Sequence, residues 1–543
     1  MGRGFSPGRG VRHAIVALVK LLRKAVILSH RYLGIVASAF AVMWCATGIT
    51  MMYVGGMPRL TPDLRLARLP TLDLARVRIT PEDAARRGLY DSPPTATLLT
   101  VLDRPAYRFG QSDPITVFAD TGEFLDPIAP GQARQVASRF AGEPEERVTF
   151  VETITTNDQW TLGQVQPPLH KFRIADAAGT EIYVSPATAD VVQMTTKRGR
   201  MLAWISTIPH WFYFTALRNN QPVWYRLVVW TSALVCAVAV LGLLLAFTQF
   251  RRSRPFNLSS SIPYRGGMRW HYVTGAVFGL TTLTFAFSGL LSMEPFAWTN
   301  APDLRIPRDV FTGGPLQLAN FPAFDRDKWN GLLAGRVIKE VDLVRVQDRP
   351  YFVVHSTEQA GPELKRERLH QPYYITGRAE QQRTLVAADT LEPHGAFSNE
   401  SLVRRLQASL TGVQVTESQL LNDYDSYYYS RNRQTPLPVL RVKLDDPAAT
   451  WVYIDPAMSR ILSQVHRYSR AERWLYNGLH SLDFAFWYNR RPLWDVAMIV
   501  LLLGGLTTSS LGLFLGIRRL RRAAARALDA TDAPATQRAE SRI

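Results

Sequence analysis

Residues 30–58 read HRYLGIVASAFAVMWCATGITMMYVGGMP, and residues 271–293 read HYVTGAVFGLTTLTFAFSGLLSM. No Asp, Glu, Lys or Arg interrupts Tyr32–Pro58 or Trp270–Met293. About 20 helical residues cross a hydrocarbon layer roughly 30 Å thick, so each run is long enough to span a membrane. Leu227–Phe250 and Val496–Ile517 are two further runs of the same kind. The expectation is therefore four transmembrane helices. The first run exceeds the h-region of a cleaved signal peptide, and no small-x-small site follows it, so it reads as a span.

Charge gives these spans a direction. The 543-residue chain is 47% hydrophobic and carries a net charge of +18. This composition excludes a disordered chain, a collagen and a disulfide scaffold. The two cysteines, Cys45 and Cys236, lie inside apolar runs and offer neither a disulfide framework nor a thiolate metal site. Much of the positive charge stands beside span ends. Arg3 to Arg31 precede the first span, Arg251 to Arg269 link the second to the third, and Arg518 to Arg526 follow the fourth, all without an acid. Cationic flanks stay in the cytoplasm. Both termini and the 251–269 link are thus expected inside, with residues 59–226 and 294–495 on the other side. Charge placed this way argues against nucleic acid as a partner. Residues 11–29, apolar with interspersed cations, predict an interfacial amphipathic helix leading into span one, and the Ala-, Thr-, Asp- and Arg-rich tail from Ala523 predicts disorder.

The chain is written twice. His30 and Gly34, with Gly48 further on, return 241 positions later as His271, Gly275 and Gly289. Tyr183, Pro186, Trp204, His210, Pro222 and Trp224 return 270 positions later as Tyr453, Pro456, Trp474, His480, Pro492 and Trp494. Asp103-Arg104-Pro105 matches Asp348-Arg349-Pro350, and Ala119-Asp120-Thr121 matches Ala388-Asp389-Thr390. Each half contains an outgoing span, an outer region and a returning span, which makes a parallel repeat about an axis along the membrane normal. The expected fold class is membrane α+β. Its order is an N-terminal cytoplasmic segment 1–29, span one 30–58, outer region 59–203, interfacial helix and span two 204–250, basic loop 251–269, span three 270–293, outer region 294–473, interfacial helix and span four 474–517, and basic tail 518–543. The outer regions read as short helices, such as Pro81–Arg87 and Gly131–Ala141, among strands at Ile115–Ala119, Lys171–Ile174, Glu181–Val184, Val439–Leu444 and Thr450–Ile454.

Of ten histidines, only four take part in the repeat: His30 with His271, and His210 with His480. A pseudo-twofold axis makes each pair face across the bundle, one pair near each membrane surface. Two facing neutral imidazoles suit a six-coordinate haem b, one on each face of the porphyrin. Zinc would need further Cys, Asp or Glu ligands nearby, and a proton relay would need acids that the spans lack. Gly34, Gly48, Gly275 and Gly289 would leave room for the macrocycle or serve helix packing. Trp211–Phe214 and Phe484–Tyr488 would line the outer haem edge or form an interfacial belt. His13, His170, His355, His370, His394 and His466 read as surface or fold residues.

The His-Arg-Tyr-Leu-Gly at 30–34, the Leu-His at 479–480 before a returning span, and the Tyr-Val-Ser-Pro and Tyr-Ile-Asp-Pro at 183–186 and 453–456 resemble the PepSY-associated transmembrane helix family over roughly residues 28–520. The resemblance implies periplasmic PepSY-like outer domains and a di-haem ferric-siderophore reductase of the bacterial inner membrane. Carried over by position, His30 and His271 would hold a cytoplasmic-side haem and His210 and His480 a periplasmic-side one, as axial iron ligands. Some relatives carry a fused flavin and nicotinamide domain. No Gly-x-Gly-x-x-Gly follows a strand here, so the donor is expected to be a quinol or a separate protein. The acceptor would be a ferric siderophore or another ferric chelate. Two other readings compete: a non-enzymatic membrane regulator of peptidases, which would be colourless, and an iron-chelate transporter.

Overall fold

The computed structural model describes residues 9–111, 113–163, 165–251, 257–300, 304, 306–307, 309–325, 328–329, 336–358, 382–430, 435–488 and 490–532. It divides into two compact units. One takes in residues up to 52, 205–298 and from 471 onward; the other takes in 53–204 and 299–470.

Among the described residues, four helices in the first unit are long and apolar enough to cross a membrane. They run Arg9–Val54, Gln221–Gln249, Gly266–Leu291 and Leu493–Asp532. Asn220 caps the second by accepting from the Val223 N–H, with Pro222 in its first turn. The helix expected at 11–29 runs into the first span without a break, because no glycine or proline interrupts Val11–Leu33. The resulting 46-residue helix is about 70 Å long at 1.5 Å per residue, over twice the thickness of a hydrocarbon layer. The tail expected to be disordered from Ala523 continues the fourth helix to Asp532, since Ala523–Ala527 is made of strong helix formers. The rest of that expectation lies outside the described residues.

The second unit is built from antiparallel sheets. Strands β1 (Ala96–Val101), β2 (Arg104–Phe109) and β3 (Ile115–Phe118) form a meander. Strands β8 (Arg336–Val346), β9 (Arg349–Glu358) and β10 (Gln382–Ala387) form another. The two join through β1 and β8 into one six-stranded sheet of order β10-β9-β8-β1-β2-β3. The recurring Asp-Arg-Pro marks its two tight hairpins. Leu102 and Asp103, and again Gln347 and Asp348, take up positive φ between the strands. Such a turn matches the twist of the flanking strands, and Asp tolerates that conformation.

Among the described residues, the unit also holds two four-stranded sheets. One orders β4 (Val148–Ile154), β5 (Leu169–Ile174), β6 (Glu181–Val184) and β7 (Val191–Thr195). The other orders β11 (Val415–Leu421), β12 (Val439–Leu444), β13 (Trp451–Asp455) and β14 (Arg460–Val465). A helix backs each one. Pro130–Ala141 buries Ala133, Ala137 and Phe140 against Phe172 and Ile182, and Asn399–Ser409 buries Leu402 and Leu406 against Val442 and Val452. The two buried tyrosines noted at equivalent sequence positions make equivalent bonds. Tyr183 donates to Asp158 at 2.8 Å and Tyr453 to Asp425 at 2.9 Å, with Lys171 and Arg441 closing an ion pair on the respective carboxylates.

Candidate functional site

The first unit brings the four recurring histidines together in two pairs. The ring centres of His30 and His271 lie 6.2 Å apart, and so do those of His210 and His480. The local sequence explains how each ring is held.

His30 projects from the first long helix, and its Nδ1 donates to the Val238 carbonyl of the second at 3.1 Å. His271 projects from the third, and its Nδ1 donates to the Thr508 carbonyl of the fourth at 3.0 Å. A helical carbonyl is normally screened by the side chain of the next turn, because residues four apart stack on one face. Here the residues four further on are Gly242 and Gly512. A Cβ at Gly242 would stand 2.9 Å from His30 Cε1, and one at Gly512 would stand 3.1 Å from His271 Cε1. The missing side chains let each imidazole reach the carbonyl.

The other pair is carried by short helices. His210 lies on Thr207–Trp211 and His480 on Leu479–Ser481, and each helix is closed by a residue in the left-handed region, Phe212 or Leu482. Indole N–H groups pin both turns. Trp224 donates to the Trp211 carbonyl at 2.8 Å, and Trp494 donates to that of Ser481 at 3.0 Å. The ring acceptors are hydroxyls. Thr47 Oγ1 is 2.9 Å from His210 Nδ1, and Ser288 Oγ is 3.0 Å from His480 Nδ1. Each hydroxyl donates its own proton to a helical carbonyl, Thr47 to Met43 at 2.7 Å and Ser288 to Phe285 at 3.0 Å. Toward the histidines they therefore act as acceptors, which places the imidazole proton on Nδ1.

A ring with Nδ1 committed in this way coordinates through Nε2. An imidazole nitrogen lies about 1 Å from its ring centre and about 2 Å from a bound metal, so two rings on one ion sit about 6 Å apart. Both pairs meet that spacing. Among the described residues, no group of three or more His, Cys, Asp or Glu side chains gathers into metal-binding range. Two imidazoles alone suit an ion whose other ligands come with it, and the four nitrogens of a porphyrin are such a set. The residues present fit a haem at each pair.

Gly34 faces Val238 and Gly275 faces Thr508, contacts that fit the packing alternative. Gly48 and Gly289 do approach His210 and His480, at 3.8 and 3.7 Å from a built Cβ to Cε1. Gly242 with Gly512, and Thr47 with Ser288, are residues that sequence reasoning missed. Their signal was present, since they lie 270 and 241 positions apart, the offsets of the histidines themselves. The aromatic stretches make ring contacts of their own. Phe212 lies against Phe40 and Trp44, Tyr213 against Trp224, and Phe484 against Trp474. Besides His210, rings beside His480 among the described residues are Tyr476 at 5.5 Å and Phe285 at 6.4 Å.

Of the other histidines, His170 is buried between Thr153 and the Ile128 carbonyl, and His355 pairs with Asp342. His394 stacks on Phe397, and His466 bonds Ser469. The His13 side chain and all of His370 lie outside the described residues. Cys45 and Cys236 are free thiols.

A family model for the PepSY-associated TM region matches residues 27–309, more than half of the chain. No curated protein matches it.

Proposed function

The chain belongs to the PepSY-associated TM family, and from that premise we propose that this membrane protein is a di-haem b oxidoreductase, carrying electrons across the bacterial inner membrane to a periplasmic ferric chelate such as a siderophore. The carrying observation is the pair of 6.2 Å imidazole separations, each ring anchored at Nδ1. In this reading the chain is two parallel repeats. Contacts that recur at offsets of 241 and 270 support it: Thr47 and Ser288 on the one, Val238 and Thr508 on the other. The cationic flanks support a topology with both termini in the cytoplasm and the sheet-bearing unit in the periplasm. His30 and His271 then hold the cytoplasmic-side haem, and His210 and His480 the periplasmic-side one.

Haem supplies reversible one-electron chemistry at neutral pH. The protein's own part is to hold and tune. Val238, Thr508, Thr47 and Ser288 fix the tautomer and rotation of the four rings, so that Nε2 is presented without reorganisation. The apolar helices keep water from the interior. Electrons arrive from a quinol or a separate donor protein. Reduction serves iron acquisition because ferrous iron is a softer ion and binds hard oxygen chelators less tightly.

A reduced-minus-oxidised spectrum of the purified protein, with haem quantification, tests the proposal. Two b-type haems per chain are expected. A colourless protein overturns the reading and favours a non-enzymatic role.

A further inference from the structure

The two histidine pairs share a spacing but differ in what accepts their Nδ1 protons. His30 and His271 donate to backbone carbonyls, Val238 at 3.1 Å and Thr508 at 3.0 Å. His210 and His480 donate to hydroxyl oxygens, Thr47 at 2.9 Å and Ser288 at 3.0 Å. The division is systematic, because both members of each pair use the same kind of acceptor. It also has a cause in sequence. Gly242 and Gly512 uncover carbonyls at one level, while Thr47 and Ser288 present side chains at the other.

An amide carbonyl is a strong acceptor whose dipole is reinforced along the helix. A hydroxyl oxygen is a weaker one. The stronger the acceptor, the more imidazolate character the ring takes on and the better its Nε2 donates to a metal. Better donation favours the ferric over the ferrous state and lowers the reduction potential. Length does not offset the difference, since the four bonds span only 2.9–3.1 Å.

We infer that Thr47 and Ser288 are positioning residues that set the His210/His480 site at a higher potential than the His30/His271 site, so that the hydrogen bonds build a one-way gradient into the bundle. This rests on the reading of two haem sites. An electron supplied by the quinol or protein donor moves downhill from the first pair to the second, one iron being oxidised as the other is reduced.

The test is a spectroelectrochemical titration of the full-length protein with both sites loaded. Two one-electron steps are expected. His271→Ala should abolish the lower-potential step, and His480→Ala the higher. Thr47→Val, which keeps the shape and removes the acceptor, should shift only the higher step upward, and Ser288→Ala should do the same. Thr47→Ser restores an acceptor and should return the wild-type value. The inference is overturned if the lower step belongs to His210/His480, or if Thr47→Val and Ser288→Ala retain two haems with both midpoints unmoved. A wild-type protein without haem overturns the haem reading itself, an outcome that spectral quantification separates from the others.

Discussion

Gly242→Ala adds one methyl group, and the structure says where it lands. Its Cβ would stand 2.9 Å from His30 Cε1. Non-bonded carbons settle at about 3.5–4.0 Å, so the ring must retreat by at least about 0.6 Å. The ring is held by a 3.1 Å bond to the Val238 carbonyl, already near the long end of the ordinary range of about 2.7–3.2 Å. Retreat breaks that bond and moves Nε2 off the axis shared with His271. Loss of an outer-shell partner lowers metal-site affinity by about 10–100-fold, and this is the loss expected for the His30/His271 haem. Folding does not confound the result, because Ala is favoured over Gly in a helix by about 1 kcal/mol. The assay is haem titration of the purified variant, followed by absorbance per chain. Stoichiometry should fall toward one, with the His210/His480 haem retained. Gly289→Ala is the control, as its Cβ meets His480 Cε1 at an ordinary 3.7 Å and should leave both haems in place. A Gly242→Ala protein binding two haems at wild-type affinity would refute the role of Gly242 in admitting His30 to the Val238 carbonyl.

His210→Ala or His480→Ala should each remove about half the haem absorbance while leaving the His30/His271 spectrum; an unchanged spectrum in both would dissolve the ligand assignment. Orientation can be read with cysteine probes. Thr149→Cys should react with a membrane-impermeant maleimide in intact cells and Ser260→Cys should not, and the reverse pattern would invert the topology. Asp158 gives a pH prediction. Burial raises its pKa, but bonds from the Tyr183 hydroxyl and the Trp160 N–H, together with the Lys171 ammonium, outweigh this and hold it below the usual carboxylate range. Its folded value is depressed, so its stabilisation is present above the unfolded pKa of about 3.9 and is lost as pH falls through the lower folded value. Asp158→Asn should therefore flatten the acid limb of unfolding below about pH 4, as followed by circular dichroism, and an unaltered acid limb would count against the network.

The sequence alone marked the four helices that are long and apolar enough to cross a membrane, because a charge-free apolar run of this length has few other stable environments. It also picked out the four histidines, because repetition at a constant offset survives without any coordinates. It placed Pro81–Arg87 where a helix of those bounds is found, since Thr80 and Pro81 start that helix and Gly88 ends it. The extent of the terminal helices was less legible. Propensity over Val11–Leu33 and Ala523–Ala527 is local, and it carries both helices beyond the apolar runs. The acceptors of the imidazole protons were decided only by the tertiary structure. Val238 lies 208 positions from His30, and Thr47 lies 163 from His210. No spacing rule within one helix links residues so far apart. Which glycine abuts a ring is likewise a matter of helix rotation. Gly34 and Gly242 look alike in a string of letters, and only packing turns Gly34 toward Val238 and Gly242 toward His30.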